Sequence, residues 1–210
     1  MLKIDFHVHT HYSECAIDSP KTIIKMAIKK KLDGLAIIDH NNFRGYLEAK
    51  KIKSNLILIP GIEISTKDGH LIALGITKKF PKKKSAQETI SMIKDEGGLA
   101  LIPHPFDYLR NCIGYNIKYL KPDLIEVYNG NNRTPLGNFL AKQFVQNRNI
   151  GITAGSDSHS ARELGSTYTI VENGSVDDIL SNIVNKKSQI YGKQVSLAVS
   201  MLRKIRSKLR

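Results

Sequence analysis

The sequence predicts a single α/β domain built as a distorted (β/α)7 TIM-like barrel, and three observations carry that expectation. Short, continuous apolar runs alternate with helical patterns along almost the whole chain, as strands and covering helices do in a parallel sheet buried on both faces. Roughly seven such units fit into 210 residues, which suits a barrel better than an open sheet. All seven histidines fall at or just beyond the C-terminal ends of the predicted strands. That is the face on which barrel enzymes place their chemistry.

The elements follow in order. Residues 2–6 read as a strand, and Ser19-Pro20 caps a helix running to about 31, with proline in its first turn. Residues 34–38 form a buried strand and 46–53 a helix. Residues 56–59 and 62–64 read as strands on either side of a break at Pro60-Gly61, with another strand over 71–76. Ser85 and Glu88 stand at the spacing of a capping box, opening a helix over 85–95. Strands follow over 99–102, 124–127 and 150–153, with helices over 134–147 and 175–185. The barrel is expected to occupy residues 1–195. Residues 196–210 read as a basic amphipathic helix or tail, because Val199, Leu202, Ile205 and Leu209 recur at helical steps among Arg203, Lys204, Arg206, Lys208 and Arg210.

Composition narrows the class. No apolar run approaches the roughly 20 residues of a membrane span. Two cysteines, Cys15 and Cys112, make no disulfide framework, and the first residues lack the layout of a secretory signal. A cytoplasmic protein with no membrane partner is the expectation. The net charge of +13 would draw phosphate-bearing partners, nucleic acid among them.

Five strand ends carry imidazole or carboxylate. His7 and His9 lie two apart on a strand, so they share a face and can reach one metal ion, with Asp5 of the same parity placed to hold an imidazole. Asp39-His40 ends the second strand. Glu63, inside an apolar run, is costly to bury unless a cation meets it, and a carboxylate can bridge two ions. His70 and His104 follow further strands, and Asp157 and His159 repeat the two-residue spacing behind small residues. This set suits Zn, Mn or Fe(II), and its size implies two or three divalent ions. Asn129, Arg133 and Arg162 follow strand ends on the same face, where arginine suits bidentate phosphate binding.

His7-Val-His9-Thr-His-Tyr-Ser13, Asp39-His40, Pro60-Gly-Ile-Glu63-Ile, His104-Pro105 and Gly155-Ser-Asp157-Ser-His159 resemble, in order, the motifs of the PHP (polymerase and histidinol phosphatase) family. The resemblance implies a seven-stranded distorted barrel with a trinuclear metal site. His7, His9, Glu63 and Asp157 would hold one ion, and Glu63, His70 and His104 a second. His40 and His159 would hold a third, together with a ligand just after Ser13, for which Glu14 is the choice because oxygen suits a hard ion, with Cys15 as the alternative. The implied activity is hydrolysis of a phosphoester in a small phosphomonoester or nucleotide by metal-activated water. Asp157 or His159 would orient or deprotonate that water, Glu63 would bridge, and His11 or His40 would protonate the leaving oxygen. The alternatives are an amidohydrolase, a nuclease or repair phosphatase acting on DNA or RNA ends, and a non-catalytic RNA-binding barrel.

Overall fold

β1 (Leu2–Val8) lies at the centre of the sheet, its residues from Ile4 onward buried on both faces. In the computed structural model residues 1–193 are described, and the basic segment 196–210 lies outside them. The described residues form β1, α1 (Pro20–Lys29), β2 (Gly34–Ile37), α2 (Arg44–Lys50), β3 (Ile57–Ser65), β4 (His70–Leu74), α3 (Ala86–Asp95) and β5 (Leu99–Ile102). A 3-10 helix (Gly114–Tyr119) follows, then β6 (Leu124–Asn129), α4 (Pro135–Val145), β7 (Gly151–Gly155), β8 (Thr167–Val171), α5 (Val176–Val184) and β9 (Ser188–Gly192). Strand order is β7-β6-β5-β4-β3-β2-β1-β8-β9.

The sheet nearly closes on itself through β1. The first half of β1 pairs with β8, Leu2 opposite Val171 and Ile4 opposite Thr169. Its C-terminal end meets the segment after β7, where Ser158 N donates to His7 O (3.3 Å) and His9 N to Ser158 O (2.9 Å). Gly155 permits that approach. A Cβ there would stand 2.4 Å from the His7 Cβ, so the junction that carries two histidines needs a glycine. The result is a near-closed α/β barrel.

The sheet is mixed, which corrects the expectation of parallel strands throughout. β3–β4, β4–β5, β1–β8 and β8–β9 are antiparallel. β3 also runs unbroken through Pro60, because its partner changes there. It pairs with β2 up to Pro60 and with β4 from Gly61 onward, so the missing N–H falls at the hand-over between ladders.

Ile4, Phe6, Ile38, Ile59, Ile72 and Leu101 pack in one cluster with Ile179 and Ile183 of α5. A second cluster joins Ile64, Ala73, Ile102 and Ile125 to Ile90 and Ile93 of α3, and a third joins Val8 and Leu35 to Ile23 and Ala27 of α1. Helix starts follow the local code: Ser19 caps α1 with Pro20 in the first turn, and Ser85 with Glu88 forms the capping box of α3. Ser85→Ala should lower stability by about 1 kcal/mol, read from the urea midpoint. Hydrogen bonds from the Ser85 hydroxyl and backbone pull the Glu88 carboxyl down to about 2. The stabilisation from its ionised form is therefore complete above pH 4.5 and fades as pH falls toward 2.

Candidate metal centre

Asp39 is the anchor of the first loop over the site. It accepts from Thr10 N (2.7 Å), Thr10 Oγ1 (2.7 Å) and Ser13 Oγ (2.7 Å). Ser13 Oγ in turn accepts from His40 N (3.0 Å) and lies 3.2 Å from His9 Nδ1. A proton on His9 Nδ1 is thereby satisfied, leaving Nε2 to face inward. Ser13 points into the protein and Glu14, the next residue, is exposed.

His7 is set the same way by Glu126. Its Nδ1 lies 3.1 Å from Glu126 Oε1, while Glu126 Oε2 accepts from His104 N (2.9 Å) and Asn129 Nδ2 (2.8 Å). One buried carboxylate on β6 therefore orients donors from β1 and from the loop after β5. Glu126→Gln should weaken metal affinity about 10- to 100-fold, measured by competition with a chelator, with the fold retained. Asp5 does not hold an imidazole. Its oxygens accept from Ser156 N (2.8 Å), Ser156 Oγ (2.5 Å) and Gly165 N (2.9 Å), and burial pushes its carboxyl up to about 6.

Four donor atoms then converge. His7 Nε2 and His9 Nε2 are 3.1 Å apart, and His9 Nε2 lies 3.3 Å from both Glu63 Oε2 and Asp157 Oδ1. His7 Nε2 lies 3.8 Å from Glu63 Oε2 and 3.5 Å from Asp157 Oδ1. Neighbouring donors about 2.1 Å from a common ion stand roughly 3.0–3.4 Å apart, close to this spacing. Glu63 Oε2 and Asp157 Oδ1 are buried and accept no hydrogen bond among the described residues. Anionic oxygens so placed fit a bound cation.

Glu63 reaches the other imidazoles as well. Oε1 lies 2.9 Å from His70 Nδ1 and 3.3 Å from His104 Nε2, while Oε2 lies 3.0 Å from His40 Nδ1. A third group, His9, His40 and His159, has its ligand nitrogens within 4.8 Å of one another. The residues can thus hold more than one ion, with Glu63 between groups. His104 (φ +31°) and Asp157 (φ +51°) lie in the left-handed region, strain of the kind that collects at functional sites.

The charges respond to this crowding. Burial opposes ionisation of Glu63, yet His70 and His40, with a hydrogen bond from His104 and the nearby His7, hold its carboxyl well below the ordinary range. Burial likewise opposes Asp157, and Arg110 and His7 outweigh it. Burial lowers His40 to about 4, with His9 and His70 acting in the same sense against Glu63.

The remaining expected residues lie elsewhere. Glu14 and Cys15 line a cleft of about 510 Å³ with Tyr12, Asn41, Lys82 and Asn111, which His40 and His70 line as well. No described contact joins Glu14 to the histidines, and His9 lies with His40 and His159 in one group of possible donors. Asn129 is buried against Glu126 and Asp157, a brace for donors in place of a substrate contact. Arg133 and Arg162 are exposed, and no described ion pair brings them to the cluster. Arg110 is the arginine that does arrive, with Nη2 2.5 Å from Asp157 Oδ2.

The PHP domain model matches residues 5–103, and the PHP-associated model matches 135–188. Uncharacterized protein MJ1587 of Methanocaldococcus jannaschii is 36% identical over 152 residues, covering 67% of this chain and 89% of that protein. The chain belongs to the PHP domain family. Among solved structures, a two-domain protein from Bacteroides vulgatus containing a predicted PHP-like metal-dependent phosphoesterase superposes with TM-score 0.70 at 21% identity. That match covers 91% of this chain and 64% of the Bacteroides protein, so this chain spans less than two thirds of it. PsfC from Pseudomonas syringae superposes with TM-score 0.71 at 15% identity, covering 99% of both chains. These two share the PHP fold with this chain. Its clustered histidines and carboxylates form several groups that could hold metal ions. Among the described residues no helix is long and apolar enough to cross a membrane.

Proposed function

We propose that the chain is a metal-dependent phosphoesterase acting on a small phosphomonoester or nucleotide, with two or three Zn, Mn or Fe(II) ions. One observation carries this reading: both oxygens of Glu63 face imidazoles, three from different strand ends, while its Oε2 and Asp157 Oδ1 are buried without a hydrogen bond. His7, His9, Glu63 and Asp157 would hold one ion. Glu63, His70 and His104 would hold a second, and His40 and His159 a third, completed by Glu14 or Cys15 just after Ser13. Bound divalent ions supply a water ionised near neutral pH and neutralise phosphoryl charge.

The side chains divide the remaining work. His40, held near 4, is neutral at pH 7 and serves as a donor ligand in place of a proton source. Asp157 is engaged on both oxygens, by the histidines and by Arg110 and Asn129. His159 keeps some exposure, and its Nδ1 lies 2.8 Å from Asp157 O. A proton on Nδ1 satisfies that carbonyl and leaves the Nε2 lone pair as its donor to the third ion. The net charge of +13 favours encounter with phosphorylated ligands.

The test is phosphate release by metal-loaded protein from nucleotides, sugar phosphates and 3′- or 5′-phosphorylated oligonucleotides, with an amide panel as control. Release that is abolished by chelator and restored by Zn, Mn or Fe(II) is expected. Amide cleavage, or no release from any phosphoester, would overturn the reading.

A further inference from the structure

Arg110 lies in the loop between β5 and the 3-10 helix, with its side chain 14% exposed. Its Nη2 donates to Asp157 Oδ2 at 2.5 Å, and its Nη1 makes a longer contact, 3.4 Å, to the Asn131 carbonyl. Guanidinium carries five N–H donors, so three have no partner among the described residues. The charge also acts on the centre itself: it favours ionised Glu63 and disfavours protonation of His70 and His104.

A fixed cation at the edge of a centre built for divalent ions is repelled by them. Asp157 offsets part of that, with Glu63 and Asp107 acting in the same sense, but Asp157 Oδ1 is shared with His7, His9 and His159. The position becomes favourable when an anion of higher charge sits between the guanidinium and the ions. A terminal phosphate provides two negative charges and three oxygens, and a planar fork matches two of those oxygens at once. An internal diester provides one charge and two free oxygens.

Building on the phosphoesterase reading, we propose that Arg110 is the substrate-binding residue for the phosphoryl group and selects dianionic phosphomonoesters over monoanionic diesters. The guanidinium would keep Asp157 Oδ2 as its anchor and offer its free N–H groups to the phosphate. Arg133 and Arg162, both exposed, are not needed for this contact.

The experiment compares the parent with Arg110→Gln and Arg110→Lys in three measurements. These are metal content after reconstitution, inorganic phosphate affinity by calorimetry, and kcat/KM for p-nitrophenyl phosphate against bis(p-nitrophenyl) phosphate. Both variants should keep the parent's metal content. Arg110→Gln should bind phosphate about 30-fold more weakly, or about 2 kcal/mol, and lose at least ten times more monoester than diester activity. Arg110→Lys keeps the charge beside Asp157 and loses the fork, so it should fall between the two, and it serves if the glutamine variant fails to fold. Unchanged phosphate affinity, equal loss of both activities, or loss of metal would overturn the proposal and leave Arg110 as a brace for Asp157. If the parent hydrolyses neither ester, the phosphoesterase reading fails, and the calorimetric comparison still decides whether Arg110 binds phosphate.

Discussion

Glu63→Gln should reduce the chain to at most one tightly bound ion and cut phosphoester turnover about 1000-fold, or about 4 kcal/mol in barrier. The substitution keeps the shape of the side chain and removes its charge. That charge is the one placed against His40 on one oxygen and against His70 and His104 on the other, so no neighbour replaces it. Stability should change too. The Glu63 carboxyl is held well below its ordinary range by His70 and His40 against burial, so its ionised form stabilises the chelator-treated protein above pH 4.5. That stabilisation is lost as pH falls through the depressed value. The variant should therefore melt below the parent at pH 7, and the gap should narrow in acid. Full metal content with turnover within tenfold of the parent would remove Glu63 from the centre.

Metal loading should raise the melting temperature by about 8–16 °C over chelator-treated protein. An ion present at about 1000 times its Kd adds about 4 kcal/mol, and each kcal/mol moves a domain of this size by about 2–4 °C. The direction follows from the site. Loading relieves two buried carboxylate oxygens that accept no hydrogen bond and places a cation between imidazole nitrogens 3.1 Å apart. A shift under about 2 °C with Zn, Mn and Fe(II) alike would mean that the cluster does not bind metal tightly.

Periodicity made the donors on strands legible. His7 on β1 and His9 just beyond its end lie two apart, and both point into the centre. Glu63 stood out as one carboxylate in an apolar run, and it is fully buried with imidazoles on both oxygens. Loop residues carried no such signal. Arg110, Arg133 and Arg162 look alike in sequence, since only the path of the loop decides which guanidinium turns inward. Glu126 falls inside the strand read over 124–127, but its bonds to His7 and His104 depend on how β6 sits beside β5 and across from β1.

The strand directions were missed for a related reason. Buried strands read as continuous apolar runs whether their neighbours are parallel or antiparallel, so composition gave no warning at β4. Its length of connection did: β3 ends at Ser65 and β4 begins at His70. Four residues suit a hairpin and are too few for a crossover between parallel strands. β8 and β9 were overlooked because Thr-Tyr-Thr and Ser-Gln dilute the apolar pattern at the rim of the sheet.

The central claim is that one carboxylate-bridged cluster holds several ions, and elemental analysis of reconstituted protein measures it directly. Two or three Zn, Mn or Fe ions per chain are predicted for the parent, falling to one or none in Glu63→Gln. One ion or fewer in the parent after reconstitution with each of the three metals would contradict it.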